Sequence, residues 1–282
     1  MLKKIFLTAI IFAFFADANI FAQDEDFPVI APFSGGMLID TRTNETAYKG
    51  SWEFMIQHRF GKIEEVSDLF GLYAPSNISL GIDYGITDNI MVGFSTEKNN
   101  KLQSFQAKWQ ALKQTENYTM PVGVTLYGNM AIDARDEAAF GKDYAFTNRL
   151  SYFGQVIITH RVNDKVSFLL APAFSHVNAA DSLINHDNIS LTFGGRAKVY
   201  NDIAVIAEYG HPFNFEGMTE YTEAFEPKPN LALGVELVTM THVFQIYASP
   251  FREIIPQQNF LFNKNDFTEG EMMFGFNIRV RI

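Results

Sequence analysis

The chain has 282 residues, a formal net charge of −10, 47% hydrophobic and 15% aromatic residues, and no cysteine. An acidic balance argues against nucleic acid as a partner. The lack of cysteine excludes disulfide staples, thiolate metal ligands and a lipid-anchored N-terminal Cys, so backbone pairing and burial must hold the fold.

The first residues have the order of parts of a secretory signal peptide: Lys3-Lys4, an apolar run from Ile5 to Phe15, then small residues ending at Ala22-Gln23. Residues 1–22 are therefore expected to be removed on export. No later stretch approaches the ~20 apolar residues that a helix needs to span a bilayer, so any membrane crossing must be made by strands. Residues 23–50 lack a sustained period and are rich in Gly, Pro, Thr and Asp; they read as an N-terminal periplasmic arm.

From Ser51 onward one unit recurs, an alternating run followed by a turn, and residues 51–282 read as a single barrel. The predicted strands are Ser51 to Phe60, Ile78 to Ile86, Ile90 to Glu97, Leu102 to Lys113, Met120 to Ile132, Asn148 to Val162, Lys165 to Val177, Asn188 to Tyr200, Ile203 to Gly210, Leu231 to Val238, His242 to Ser249 and Glu271 to Ile282. Lys62 to Leu69 could hold a helical turn or two. In the eighth strand Ile189, Leu191 and Phe193 share one row and Ser190, Thr192, Arg196 and Lys198 the other. Turning Arg196 and Lys198 toward hydrocarbon would cost ~2 to 4 kcal/mol each near the bilayer midplane. The polar row therefore faces the lumen and the apolar row the lipid.

The joins alternate in length. Thr87 to Asn89, Gln114 to Thr119, Asn163-Asp164, Asn201-Asp202 and Thr239 to Thr241 are short; Gly61 to Asn77, Asp133 to Thr147, Asn178 to Asp187, His211 to Asn230 and Pro250 to Gly270 are long. Lys98 to Lys101 is short where a long join is due. This puts short turns at one end and long loops at the other, the layout of an outer-membrane barrel with both termini in the periplasm of a Gram-negative cell. The last strand runs to the end of the chain and needs the first strand to cover its edge. A soluble sandwich or a lipocalin-like barrel would also alternate, but would not explain the turn asymmetry or aromatics near strand ends such as Trp52, Phe60, Tyr84, Trp109 and Tyr209, which fit an interfacial girdle. The fold expected is an all-β, transmembrane, antiparallel up-and-down barrel of about twelve strands.

The stretches FMIQHRFG (Phe54 to Gly61), DLFGLYAPSNISLGIDYGITDNIMVGFS (Asp68 to Ser95), KWQALKQ (Lys108 to Gln114) and HVFQIYASP (His242 to Pro250) resemble the Bacteroidota outer-membrane β-barrel family known as domain of unknown function 5777. The resemblance runs from Thr43 to Ile282. It implies a fold and a location and carries over no functional residues; outer-membrane lipid and the barrel-assembly machinery are expected as partners of such a barrel.

Catalysis is not expected. His58 and His160 are outward-facing, but neither is placed at the external end of its strand or beside a Ser, as lipolytic barrels would require. His176, His186, Asp181 and Asp187 could form a metal site around one loop but read first as solvated, and no cofactor or metal is expected. The lumen candidates are Glu53, Arg59, Asp83, Lys108, Arg161, Arg196, Lys198, Glu208, Glu236, Arg279 and Arg281, with Arg59, Arg161, Arg196, Lys198, Arg279 and Arg281 facing Glu53, Glu208 and Glu236. A two-signed wall suits a narrow passive, porin-like channel for small polar solutes. The alternative is a non-conducting structural or docking barrel whose long loops bind a surface partner. Phe213, Phe215, Phe225, Phe260, Phe262 and Phe267, on the two longest loops, are expected to form a lid over the mouth or a docking surface.

Overall fold

The computed structural model describes residues 26–62, 69, 71–180, 186–215 and 226–282. The expected signal peptide lies outside them, as does most of the stretch expected to hold a helical turn. The alternating runs form twelve antiparallel strands: β1 (Trp52–Arg59), β2 (Asn77–Gly85), β3 (Ile90–Glu97), β4 (Leu102–Leu112), β5 (Gly123–Asp133), β6 (Leu150–Arg161), β7 (Val166–Val177), β8 (Asp187–Tyr200), β9 (Ile203–Phe213), β10 (Asn230–Val238), β11 (His242–Ser249) and β12 (Met273–Arg281). Each pairs with its neighbours in sequence, and β1 closes on β12 from Glu53↔Arg281 to Arg59↔Gly275, so the barrel has no free edge.

Alternation fixes which row turns inward. Along β1, Glu53, Met55, Gln57 and Arg59 are buried while Trp52, Phe54 and Ile56 are exposed on the outer wall. Along β8, Asn188, Ser190 and Thr192 are buried and Phe193 is exposed. A register slip by one residue would exchange these rows along a whole strand, which is why the charged row specifies the register so strongly. Trp52 and Tyr84 pack with ring centroids 4.5 Å apart and planes tilted by 42° at the end that carries the short turns, and exposed Trp109 also lies toward that end.

The short joins gather at one end, hereafter the turn end, and the long ones at the other, the loop end. The irregular join Asn99–Lys101 is a single 3-10 turn at the loop end. Strand β9 runs three residues further than expected, to Phe213, pairing with β8 through Pro212↔Ser190 and Phe213↔Ile189. Bulges interrupt pairing at Gln110/Leu112 and at Lys198/Tyr200.

Eight strands enclose a space that wall side chains can fill, and diameter grows with strand number, so a twelve-stranded barrel needs water or further chain inside it. Here it is further chain. Of residues 23–50, expected as an arm in the periplasm, 33–47 run back into the lumen: Phe33, Met37, Leu38, Ile39 and Ala47 are buried, as are Thr41, Arg42, Thr43 and Asn44. A segment that meets the wall on every side has no reason to show the period of two that marks a strand. From the loop end the β11–β12 connection also folds inward, and its short helix α1 (Pro256–Phe262) buries Gln257, Asn259, Phe260 and Leu261.

Candidate functional site

The candidate site is the filled lumen. Its plug is a hairpin anchored by both ends at the turn end. Before entering, the chain pairs with the β4–β5 turn: Val29 N donates to Gln114 O (2.9 Å), Glu116 N to Phe27 O (3.0 Å), and Asp26 accepts from the Asn117 amide (2.8 Å). After leaving, Lys49 N donates to Asp88 Oδ1 (3.0 Å) and Gly50 N to Gly85 O (2.8 Å).

Inside, the hairpin is closed by Leu38 N donating to Thr41 O (2.9 Å) and Thr43 N to Gly36 O (3.1 Å). Its tip, residues 38–41, penetrates deepest. There the Glu208 carboxylate of β9 accepts the backbone amides of Asp40 (2.8 Å) and Thr41 (3.0 Å), while Asn277 donates to Ile39 O (2.7 Å). The turn thus presents donors that a fixed carboxylate satisfies, a stronger arrangement than neutral hydrogen bonds.

Charged side chains of the plug reach the wall on two sides. Arg42 donates to Asp83 of β2 (2.8 Å) and to Gln106 of β4 (2.7 Å), with side-chain exposures of 4% and 2% for the ion pair. Asp40 pairs with Arg59 of β1 (3.0 Å). Lys108 of β4 turns its ammonium to three plug carbonyls, those of Gly36 (3.3 Å), Thr43 (3.2 Å) and Glu45. Ser34 donates to Glu236 of β10 (2.7 Å). Gly35 lies so close to the Arg279 guanidinium that a Cβ would stand 2.8 Å from its Cζ, and a larger residue would have to push that guanidinium aside. An apolar cluster completes the anchor, with Phe33, Leu38 and Ile39 packed among Ile157, Leu169, Ile206 and Tyr247 of the wall.

The in-folded loop closes the lumen from above. The Glu97 carboxylate accepts the amides of Ile254 (3.2 Å) and Ile255 (3.1 Å), Gln257 donates to Asn129 (2.9 Å), and Phe260 stacks on Phe153 with centroids 6.3 Å apart and planes 2° apart. Plug and loop touch directly, Asn259 donating to Asp40 Oδ2. Two voids at this junction, lined in part by Asp40, Arg42, Tyr127, Glu208 and Phe260, measure about 20 Å³ each, room for roughly a single water. Further out the loop is tied down by Lys62 to Glu271 (2.6 Å) and by Glu271 to the Asp266 amide (2.8 Å). The hydrogen bond from Lys62, then that from the Asp266 amide, holds the Glu271 carboxyl below its ordinary value.

The lumen candidates are largely brought together, some with partners of the expected set and some with others. Arg196 pairs with Glu236 (2.7 Å), Arg281 with Glu53 (3.3 Å), and Arg279 approaches Glu236 at 3.8 Å, as a two-signed wall implies. Arg59 and Glu208 instead hold the plug, as do Asp83 and Lys108. Arg161 lies at the turn end against Glu116 (3.2 Å) and Asp164, and Lys198 is exposed beside the β8 bulge, where the alternation that would carry it inward breaks. Asp40 and Arg42 on the plug were not anticipated; their only sequence signal was charge within an irregular stretch.

The loop aromatics divide. Phe260 is buried in the mouth, Phe262 is half-buried beside it, and Phe267 meets the Tyr209 ring at 6.4 Å. Phe213 and Phe215 continue the outward row of β9 and stack on each other (5.7 Å) instead of covering the mouth, because β9 extends past Gly210. Phe225 lies outside the described residues. His58, expected away from the loop end, is in fact the penultimate residue of β1 at that end, flanked by Phe60 (4.5 Å) and Phe276 (5.1 Å). His176 bonds Asp187 (2.6 Å) and His186 bonds Val177 O (2.6 Å); among the described residues no group of three His, Cys, Asp or Glu is placed to hold a metal ion, and Asp181 lies outside them.

Residues 33–281 match the family model of a membrane-bound β-barrel domain, DUF5777, a span that takes in the plug as well as the wall. Among curated proteins none matches the chain. Among solved structures it is similar to the COG4313 outer membrane channel of Pseudomonas putida F1, at 11% identity over 84% of this chain and 97% of that one, TM-score 0.45. It is also similar to an active-site mutant of Escherichia coli outer membrane phospholipase A, at 11% identity over 86% and 93%, TM-score 0.41. A mutant Rh. blastica porin is matched at 11% identity over 77% of this chain, TM-score 0.33, and the chain spans 58% of that porin's length.

Proposed function

The chain belongs to the DUF5777 family of membrane-bound β-barrel domains, and from that premise we propose that it is an outer-membrane conduit for small polar solutes held shut by its own residues 33–47. The turn end and both termini face the periplasm, the long loops face outward, and outer-membrane lipid meets the apolar row. The observation that carries this is the polarity of the seal. Arg42, Asp40, Lys108 and Glu208 join plug to wall through ion pairs and charge-assisted hydrogen bonds. Desolvation offsets much of the Coulomb gain in such buried pairs, so releasing all of them together into a hydrated lumen costs little net free energy. The wall left behind carries both signs, which orients polar solutes without holding ions tightly.

Phe33, Leu38 and Ile39 favour the second reading, a permanently closed barrel that serves for docking. Each contributes roughly 1.5 to 3 kcal/mol on full burial, enough to make opening a minor event at rest. Conductance in a planar bilayer separates the two. The full chain is expected to be silent at low voltage, and a variant lacking residues 33–47 to conduct steadily. A folded, heat-modifiable deletion variant that stays silent would overturn the conduit in favour of docking.

A further inference from the structure

At the loop end, outside the lumen, lies a polar cleft of about 920 Å³, walled by the β3–β4 turn, the β5–β6 loop and the end of β7, and floored by the in-folded β11–β12 loop. Its volume lies in the range of small-molecule sites. Two carboxylates line it and both are occupied. Asp133 accepts Arg135 through Nε (3.0 Å) and Nη2 (2.6 Å), and Glu253 accepts Arg252 (3.2 Å) and Asn99 (3.0 Å).

The third guanidinium, Arg149, feels the charges of Glu137 and Asp133 but makes no ion pair among the described residues, and its hydrogen-bond partners are all neutral. It donates to Tyr144 Oη (2.7 Å), Asp133 O (2.8 Å) and Arg135 O, and lies 4.9 Å from the centroids of both the Phe140 and Tyr144 rings. These partners fix its geometry and none of them is a carboxylate, so this spot presents a pre-oriented cation that can still take a carboxylate directly. Around it stand groups suited to hydroxyls: among the described residues the side-chain amides of Asn100 and Gln258 make no hydrogen bond, and Phe262 offers a ring face, whereas Phe140 is already covered by the Arg135 and Arg149 guanidiniums. Amides, a ring face and one guanidinium in no ion pair together match a polyhydroxylated ligand that carries negative charge.

We propose that this cleft binds an acidic oligosaccharide, with Arg149 taking the carboxylate and Asn100 and Gln258 the hydroxyls. The proposal rests on the outward placement of the loop end. Titration calorimetry of the purified full chain in detergent, using a short oligogalacturonate and its fully methyl-esterified form, tests it without any conductance, so a silent barrel leaves it standing. The acid form should bind at least tenfold tighter than the ester, about the worth of one charge-assisted hydrogen bond. Arg149→Gln should remove that preference and Arg149→Lys retain most of it, with heat-modifiability unchanged in both. Should Arg149→Gln fail to fold, Gln258→Ala should weaken the acid form about threefold or more. Equal affinity for acid and ester, no binding of either, equal competition by inorganic sulfate, or variants that bind like the parent would each overturn it.

Discussion

Replacing Arg42 by Met is expected to unseat the plug. Arg42 and Asp83 form an ion pair with both side chains almost fully buried, and only the Gln106 amide (2.7 Å) would remain on the Asp83 carboxylate. Removing one partner of a buried pair costs about 3 to 5 kcal/mol, because the other charge is left uncompensated. At ~1.4 kcal/mol per tenfold, the closed state loses about two to more than three orders of magnitude of its advantage, and steady or frequent openings should appear in a bilayer recording. The double replacement Arg42→Met with Asp83→Leu removes both charges, and apolar substitutes for a buried pair are often neutral or stabilising. It should close the barrel again. A folded single variant as silent as the parent, or a double variant as leaky as the single, would show that this pair does not latch the plug.

The second large effect is at the tip. Glu208→Ala leaves the buried amides of Asp40 and Thr41 without their acceptor, at about 1 to 3 kcal/mol each. Hydrogen exchange read at those two amides should accelerate at least tenfold, and about a thousandfold if the two penalties add. Amides paired between β8 and β9 should keep their protection, since the ladder there does not depend on the Glu208 side chain. Glu208→Gln, which keeps one acceptor oxygen, should fall between. Unchanged exchange at Asp40 and Thr41 would mean that the wall does not hold the tip through this carboxylate.

The barrel was legible in the sequence because its information is periodic and local. A period of two, interrupted by joins of alternating length, placed twelve strands, their inward rows and the closure of the last on the first. The end of β9 was missed because the long join was begun at His211, directly after Gly210. In the fold Gly210 serves packing instead: a Cβ there would come within 3.0 Å of the Phe260 ring, so glycine lets the loop approach the wall. The plug was not legible, for a related reason. Its contacts join residues far apart in sequence, Arg42 to Asp83 and Asp40 to Glu208 among them, and an irregular hairpin satisfied by the wall leaves no period to detect. Wall charges could be read as a two-signed set, which explains why Arg196–Glu236 and Arg281–Glu53 were within reach of sequence reasoning. That Arg59, Asp83, Lys108 and Glu208 serve the plug depends on chain whose position only the folded barrel reveals.

Occupancy of the lumen by residues 33–47 can be measured without any assumption about transport. The chain contains no cysteine, so a single Cys introduced at Ile39, the fully buried tip of the plug, is the only thiol a maleimide can find. A second single-Cys variant at Met240, on the fully exposed β10–β11 turn, sets the rate of an open site. In the folded barrel Ile39→Cys should remain unlabelled while Met240→Cys reacts, and both should react once the barrel is unfolded by heat. Labelling of Ile39→Cys in the folded barrel at the rate of Met240→Cys would contradict a plugged lumen.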